Sequence, residues 1–218
     1  MVPVRPMDMD STELDDILDA AFELVRARNY AAARRLLESE ARSRRDAGLA
    51  SDAGHLSATL AVACYTEGDL RATKEAYRQA IADDPTNFFH REELARFLFD
   101  GDDPAAALIE LDEARRYIPT DIPTVHHNFD GLRASIVLTL GRVDEAIGLF
   151  RKLNDPAFLA RMDSRGIEVD IARRLCRAGI ICDEVHAYLQ LVLTRAEKSD
   201  DRSTVVRVMS LLAKCDRR

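Results

Sequence analysis

The sequence has no tryptophan, and it is sparing with glycine and proline, at nine and seven residues in 218. An all-β sandwich needs many such residues at its turns, so these counts argue against that class. No stretch of eighteen uninterrupted apolar residues occurs, and no membrane-spanning helix is expected. The opening residues, Met1 to Asp10, lack the continuous apolar stretch of a signal peptide and are expected to be disordered. Positive charge is also short: 31 Lys and Arg face 38 Asp and Glu, a net charge of −7. That balance argues against general binding of nucleic acid or anionic membrane, where basic residues supply most of the affinity. The densest basic stretch, Arg42 to Arg45, reads as a solvated helix face rather than a phosphate site. Cysteine is limited to Cys64, Cys176, Cys182 and Cys215, with no C-x-x-C pair. Three of these sit in helical apolar patterns as small buried thiols, and no disulfide framework is expected. These features favour a cytoplasmic chain.

Sites of chemistry are equally scarce. There is no Gly-rich phosphate loop, no G-x-S-x-G, no H-E-x-x-H and no G-x-G-x-x-G. His126-His127 is the closest histidine pair, but helical neighbours point about 100° apart, and the pair reads as a partly exposed loop feature rather than a metal site. Acidic pairs such as Asp83-Asp84 and Asp102-Asp103 fall at turns and helix starts, where capping and the helix dipole account for them. Cys176 and Cys182 flank the turn at Gly179, and a core thiol beside a helix-start residue explains them. No catalytic residue, metal ligand or cofactor is assigned.

What the chain does have is helix-forming composition, with Ala, Leu, Arg and Glu prominent, and an internal repeat. Between residues 54–87 and 88–121, Leu60-Ala61 returns as Leu94-Ala95, Ala80 as Ala114 and Pro85 as Pro119, each after 34 residues. Tyr77 is matched by Leu111, and Thr73 by Ala107. Ala134, Gly141, Ala146 and Phe150 follow Ala95, Asp102, Ala107 and Leu111 by 39 residues, which implies five extra residues near Asp121 to His126. Ala172, Gly179 and Tyr188 come 38 residues later again, with four extra near Pro156 to Ser164. Upstream, Ala21, Ala33 and Leu37 precede Ala61, Thr73 and Tyr77 by 40. Small residues facing large ones let two antiparallel helices pack closely, and each closing Pro stops a helix because it breaks the backbone hydrogen-bond ladder. Gly68-Asp69, Gly101-Asp102 and Gly141-Arg142 mark the turns. Helices are expected over 11–28, 30–47, 50–67, 70–83, 88–100, 104–117, 124–140, 143–153, 165–178, 182–198 and 201–216, with a short one within 156–163. Ser11-Thr12 and Ser199 to Asp201 supply N-cap chemistry for the first and last of these.

This period and residue set resembles the tetratricopeptide repeat, whose pattern pairs a Trp, Leu-Gly, Tyr helix with an Ala, Phe helix closed by Pro. The Trp position holds Ser57 and Arg91 here, and the Gly beside Leu is Ala in both central units. The resemblance implies an all-α, right-handed α-solenoid of about five helix–turn–helix repeats with a C-terminal capping helix. It covers residues 11–218 as one domain, with units near 14–47, 54–87, 88–121, 127–160 and 165–198 and a cap over 201–216. It also implies that the first helix of each pair lines a concave groove that receives a peptide or helix. The matching inward positions are His55, Ala58, Val62 and Tyr65, then Phe89, Glu92, Arg96 and Phe99, then Asn128, Gly131, Ser135 and Leu138. Leu18 and Phe22 extend the set at one end, and Val169 and Arg173 at the other. One subfamily clamps acidic chaperone tails with Lys, Arg and Asn. The matching positions here hold Ala58, Val62, Glu92 and Arg96, which argues against that specificity. The expected function is a bacterial-type scaffold or adaptor for a protein or peptide partner, with no nucleic acid and no membrane. A chaperone for a hydrophobic segment, or a sensor module of a signalling or transcription system, is the alternative. Self-association through an end helix, giving a homodimer, is compatible with this architecture.

Overall fold

A computed structural model of the chain describes residues 11–155, 159 and 169–215, and every regular element among them is helical. The helices are α1 (Ser11–Arg26), α2 (Tyr30–Asp46), α3 (Ala50–Glu67), α4 (Leu70–Asp83), α5 (Phe88–Asp100), α6 (Pro104–Ala114), α7 (Pro123–Thr139), α8 (Val143–Leu153), α9 (Asp170–Ala178), α10 (Cys182–Lys198) and α11 (Arg202–Cys215). The expected disorder of residues 1–10 lies outside the described residues. So does the short helix expected over 156–163, except that Leu159 is helical and buried. Helix α6 stops at Ala114, earlier than expected, because Arg115–Tyr117 tightens into a 3-10 turn. The extra residues near Asp121 to His126 enter partly as the first turn of α7, which starts on Pro123. Proline suits that position, since it has no N–H to leave unpaired there.

The chain divides into two compact units, Met1–Leu94 and Ala95–Arg218. In unit 1, α1, α2, α3 and α4 pack in succession and α1 also packs on α3. In unit 2, α6 packs on α7, α7 on α8, α9 on α10 and α10 on α11, while α7 and α9 pack directly together. Within each unit, therefore, alternate helices lie side by side, as stacked helix pairs require. The repeat positions carry this packing. Ala21, Ala33, Ala61, Ala80, Ala95, Ala107, Ala114, Ala134, Ala146 and Ala172 are all fully buried, and so are Leu37, Leu111, Phe150 and Tyr188. Phe150 meets Tyr188 edge to face at 5.2 Å between ring centroids, a favoured aromatic geometry. Tyr77 is buried as well, and burial, followed by the charge of Glu93, pushes its hydroxyl pKa up to about 12.

The turns show how the sequence ends its helices. Gly68 adopts φ +94°, and its N–H and that of Asp69 close back onto α3, a left-handed ending that glycine accepts without steric cost. Asp69 then caps α4 by accepting from Ala72 N at 3.0 Å. At the next turn the left-handed residue is Asp102, φ 64°, and not Gly101. Asp tolerates this region better than most side chains do. Asp201 Oδ1 accepts from Thr204 N at 3.2 Å and caps α11, a residue within the stretch expected to do so.

Three expectations are corrected. Arg42 to Arg45 is not simply a solvated face. Arg44 is buried and pairs with Glu13 at 3.4 Å and Asp52 at 3.3 Å, while Arg45 reaches Asp83 at 2.8 Å and Ser57 Oγ at 3.2 Å. These arginines tie helices together inside unit 1. His126 and His127 both lie on α7, and His127 is fully buried with Nε2 3.5 Å from the Tyr188 hydroxyl. His126 Nε2 instead meets the Pro119 carbonyl at 2.8 Å, so the two rings have separate surroundings. Finally, Cys176 of α9 and Cys215 of α11 form a disulfide, leaving Cys64 buried and Cys182 exposed as free thiols. Among the described residues no helix is long and apolar enough to cross a membrane.

Candidate functional site

In unit 1 the first-helix positions form an open surface along α3. His55, Val62 and Tyr65 are exposed and Ala58 is half-buried. Their spacing of three and four residues puts them on one stripe of the helix. The other stripe of α3 holds Ala53, Leu56, Ala61 and Cys64, all buried. Tyr65 is 52% exposed and Val62 40%. The start of α5 lies beside α3, because the His55 ring stands 5.6 Å from His90, edge on. Gly54 permits this approach: a Cβ there would sit 3.0 Å from His90 Nε2. His90 is buried, and burial together with the His55 charge lowers its pKa against the opposing pull of Asp84 and Asp83. Next to it Phe89 is 52% exposed while its neighbour Phe88 is buried, the two rings 4.1 Å apart. On α1, Phe22 is 39% exposed and Leu18 half-buried. Glu92 departs from the inward-open pattern, being buried within the unit.

In unit 2 the corresponding positions converge on a pocket of about 200 Å³. Arg96 and Phe99 of α5, Ser135 of α7 and Arg173 of α9 line it, and all four were expected to face inward. Of the other candidates, Asn128 is half-buried and Gly131 is buried. Leu138 packs against the apolar core, to which Val169 also belongs. The pocket includes residues that the repeat register did not select: Asp100, Leu132, Asp170 and Arg174. Arg174 lays its guanidinium over the Phe99 ring, 4.6 Å from the centroid, a cation–π contact. Asp170 bonds both Arg173 and Arg174, its Oδ1 lying 2.8 Å from Arg173 Nε and its Oδ2 2.5 Å from Arg174 Nε. Burial pushes the Asp170 carboxyl upward, but the two arginines outweigh burial and hold it below the usual carboxylate range. Ser135 Oγ is buried in the pocket wall with no hydrogen-bond partner among the described residues. The spacing Asp170, Arg173, Arg174 is the i, i+3, i+4 ion-pair pattern of a helix, and it was the available sequence signal for this cluster.

The chemistry on offer differs between the two surfaces. The unit 1 face presents rings and an aliphatic chain to solvent. The unit 2 pocket presents three guanidinium groups, two carboxylates and one aromatic ring. Among the described residues no group of three or more His, Cys, Asp or Glu is placed to hold a metal ion.

No protein-family profile and no curated protein matches the sequence. Solved structures do. The chain is similar to pilF of Pseudomonas aeruginosa, with TM-score 0.57 and 19% identity over 89% of this chain and 88% of that one. It is similar to a putative kinesin light chain of Podosopora anserina with nearly identical TPR-like repeats, with TM-score 0.54 and 13% identity over 94% of this chain and 95% of that one. At such identities the likeness speaks for the fold alone, and that fold is an all-α array of tetratricopeptide-like helix pairs.

Proposed function

We propose that the chain is an interaction scaffold that holds an extended peptide or a helix of a partner protein on its first-helix faces. The observation that carries this reading is the exposure of Val62, Tyr65 and Phe89 on neighbouring first helices of unit 1, while the repeat positions around them are fully buried. An apolar stripe left open to solvent, as Val62 and Tyr65 leave on α3, marks an interaction surface, and aromatics such as Tyr65 and Phe89 are the usual anchors. The unit 2 pocket adds fixed charges and suits a polar or mixed-charge stretch of the partner. In this reading the chain binds and performs no chemical step. A chaperone for a hydrophobic partner segment is the second reading, favoured by the same exposed rings.

The test is a photo-crosslinking residue placed at position 62 on α3, or at position 71 on α4 as a control. Partner adducts should form from position 62 and fall away when Tyr65→Ala and Phe89→Ala are combined. Equal capture from position 71, or capture indifferent to the double substitution, would refute the groove. Capture of one discrete protein supports the scaffold, whereas capture of many apolar peptides supports the chaperone.

A further inference from the structure

We propose that the Cys176–Cys215 bond is a reversible redox latch that fixes the last turn of α11 against α9. The inference is independent of the groove reading. The two cysteines are 39 residues apart in sequence, and stacking brings their Cα atoms to 6.0 Å. Helix α11 has one buried stripe, Thr204, Val208, Leu211 and Leu212, while Val206 and Met209 are exposed. It lies chiefly along α10 and touches α9 only lightly.

The seam between α9 and α11 explains why a covalent tie matters there. Beside it lies an open groove of about 450 Å³, lined by Val169, by Asp170 and Arg173 of α9 and by Arg207, Leu211 and Lys214 of α11. Leu211 and Leu212 share a buried apolar core with Ile171 and Leu175 of α9. Beyond that stripe, where Ala213 and Lys214 are exposed, the disulfide ties the last turn of α11 to α9. Arg207 and Lys214 of α11 line the same groove as the Arg173–Asp170 ion pair of α9.

The bond is also reachable. Cys176 is buried, but Cys215 is half-buried on the final turn of α11. A small external thiol or disulfide approaches the Cys215 sulfur first. In the oxidising direction the Cys215 thiolate attacks one sulfur of glutathione disulfide, forming a protein–glutathione bond and releasing one glutathione thiolate. The Cys176 thiolate then attacks the Cys215 sulfur, closing the protein disulfide and expelling the second glutathione thiolate. Two protein thiols give up two electrons and two protons, and one glutathione disulfide becomes two glutathiones. Reduction runs the same steps backwards. Arg173 lies one turn before Cys176 on α9 and lines both this groove and the pocket with Phe99. The state of the latch thus bears on the position of a pocket arginine.

The experiment equilibrates the full chain in glutathione buffers of graded ratio, traps free thiols after acid quench, and maps linked peptides by mass spectrometry. The linked 176–215 peptide should titrate as one two-electron transition within the range of glutathione buffers. Amide exchange over residues 208–215 should rise roughly tenfold or more on reduction, while α3 and α4 stay unchanged. Cys215→Ser should show the fast exchange in every buffer. Cys182→Ser should leave the transition in place, which excludes exchange through the third thiol. Failure to recover the linked peptide, a bond that glutathione does not reduce in the native chain, or exchange that ignores its reduction would each overturn the latch.

Discussion

Four residues before a fully buried alanine of the repeat, unit 1 carries Ser57 and unit 2 carries Asp130, where the repeat pattern would place a tryptophan. The two units fill this position in different ways. In unit 1, Ser57 donates to Asp83 at 2.9 Å, and Arg45 spans both, so α2, α3 and α4 meet at one hydrogen-bonded point. In unit 2, Asp130 is buried and pairs with Lys152 of α8 at 2.5 Å. The rest of each interior follows suit. The buried residues of one unit 1 cluster are Ala and Leu, with Tyr77 and Phe88 buried elsewhere in that unit, whereas the unit 2 cluster contains the Phe150–Tyr188 ring pair. The lesson is that the helix-pair skeleton depends on the small residues, which are alike in both units. The large residue opposite them is replaceable by a bridge, provided each polar atom keeps a partner.

The comparison can be broken at its strongest point first. Tyr188→Ala in unit 2 and Tyr77→Ala in unit 1 should each cost about 3–5 kcal/mol, since both rings are buried in their helix pairs. Urea unfolding measures this, and a loss below about 0.5 kcal/mol at either site, the usual surface value, would mean that the ring is not part of the core. A pH series sharpens the comparison next. Burial lowers the pKa of His127 from 6.5 to about 4, against the pull of Asp130. The unfolded chain therefore takes up a proton there between pH 6.5 and 4 while the folded chain does not. Stability from this group is complete above pH 6.5 and drains away as pH falls toward 4, by about 2–3 kcal/mol. His127→Gln should flatten that decline, and identical pH slopes for both proteins would show that His127 is not its source. His90 acts in the same direction in unit 1. The smallest expected effect is that of Asp83→Ala, about 2 kcal/mol, from leaving Arg45 and Ser57 without their shared acceptor. An equal loss in the Ser57→Ala, Asp83→Ala double variant and in the single would place the cost in that bridge.

The sequence makes local features legible and leaves assembled ones hidden. The bounds of α4, α5, α8 and α10 are readable because Gly, Asp and Pro punctuate them within a few residues. The buried alanines are readable from the 34-residue register of the central units and from the copies offset by 38, 39 and 40 residues. The repeat resemblance points to Arg96, Phe99, Ser135 and Arg173, and all four line the unit 2 pocket. By contrast, the burial of Arg44 depends on Glu13 and Asp52, which other helices bring to it. The Cys176–Cys215 bond depends on the stacking of α9 and α11, and no spacing rule announces it. Glu92 shows the limit of the resemblance: it is expected on the open inner face, yet it is buried. Arg174 joins the pocket because its neighbour Asp170 turns it over Phe99, a side-chain choice that the helix period does not specify.

The arrangement of the four cysteines makes the molecule its own reporter. Cys176 and Cys215 are bonded, Cys64 is buried and Cys182 is exposed at the start of α10. A thiol-reactive dye applied to the folded, oxidised chain should therefore attach at one defined place, with no engineering of the sequence. Burial also pushes the Cys64 thiol pKa up, against the charge of Arg34, which slows its reaction further. A fluorophore on Cys182 would sit on the helix whose neighbours α9 and α11 the disulfide joins, within unit 2.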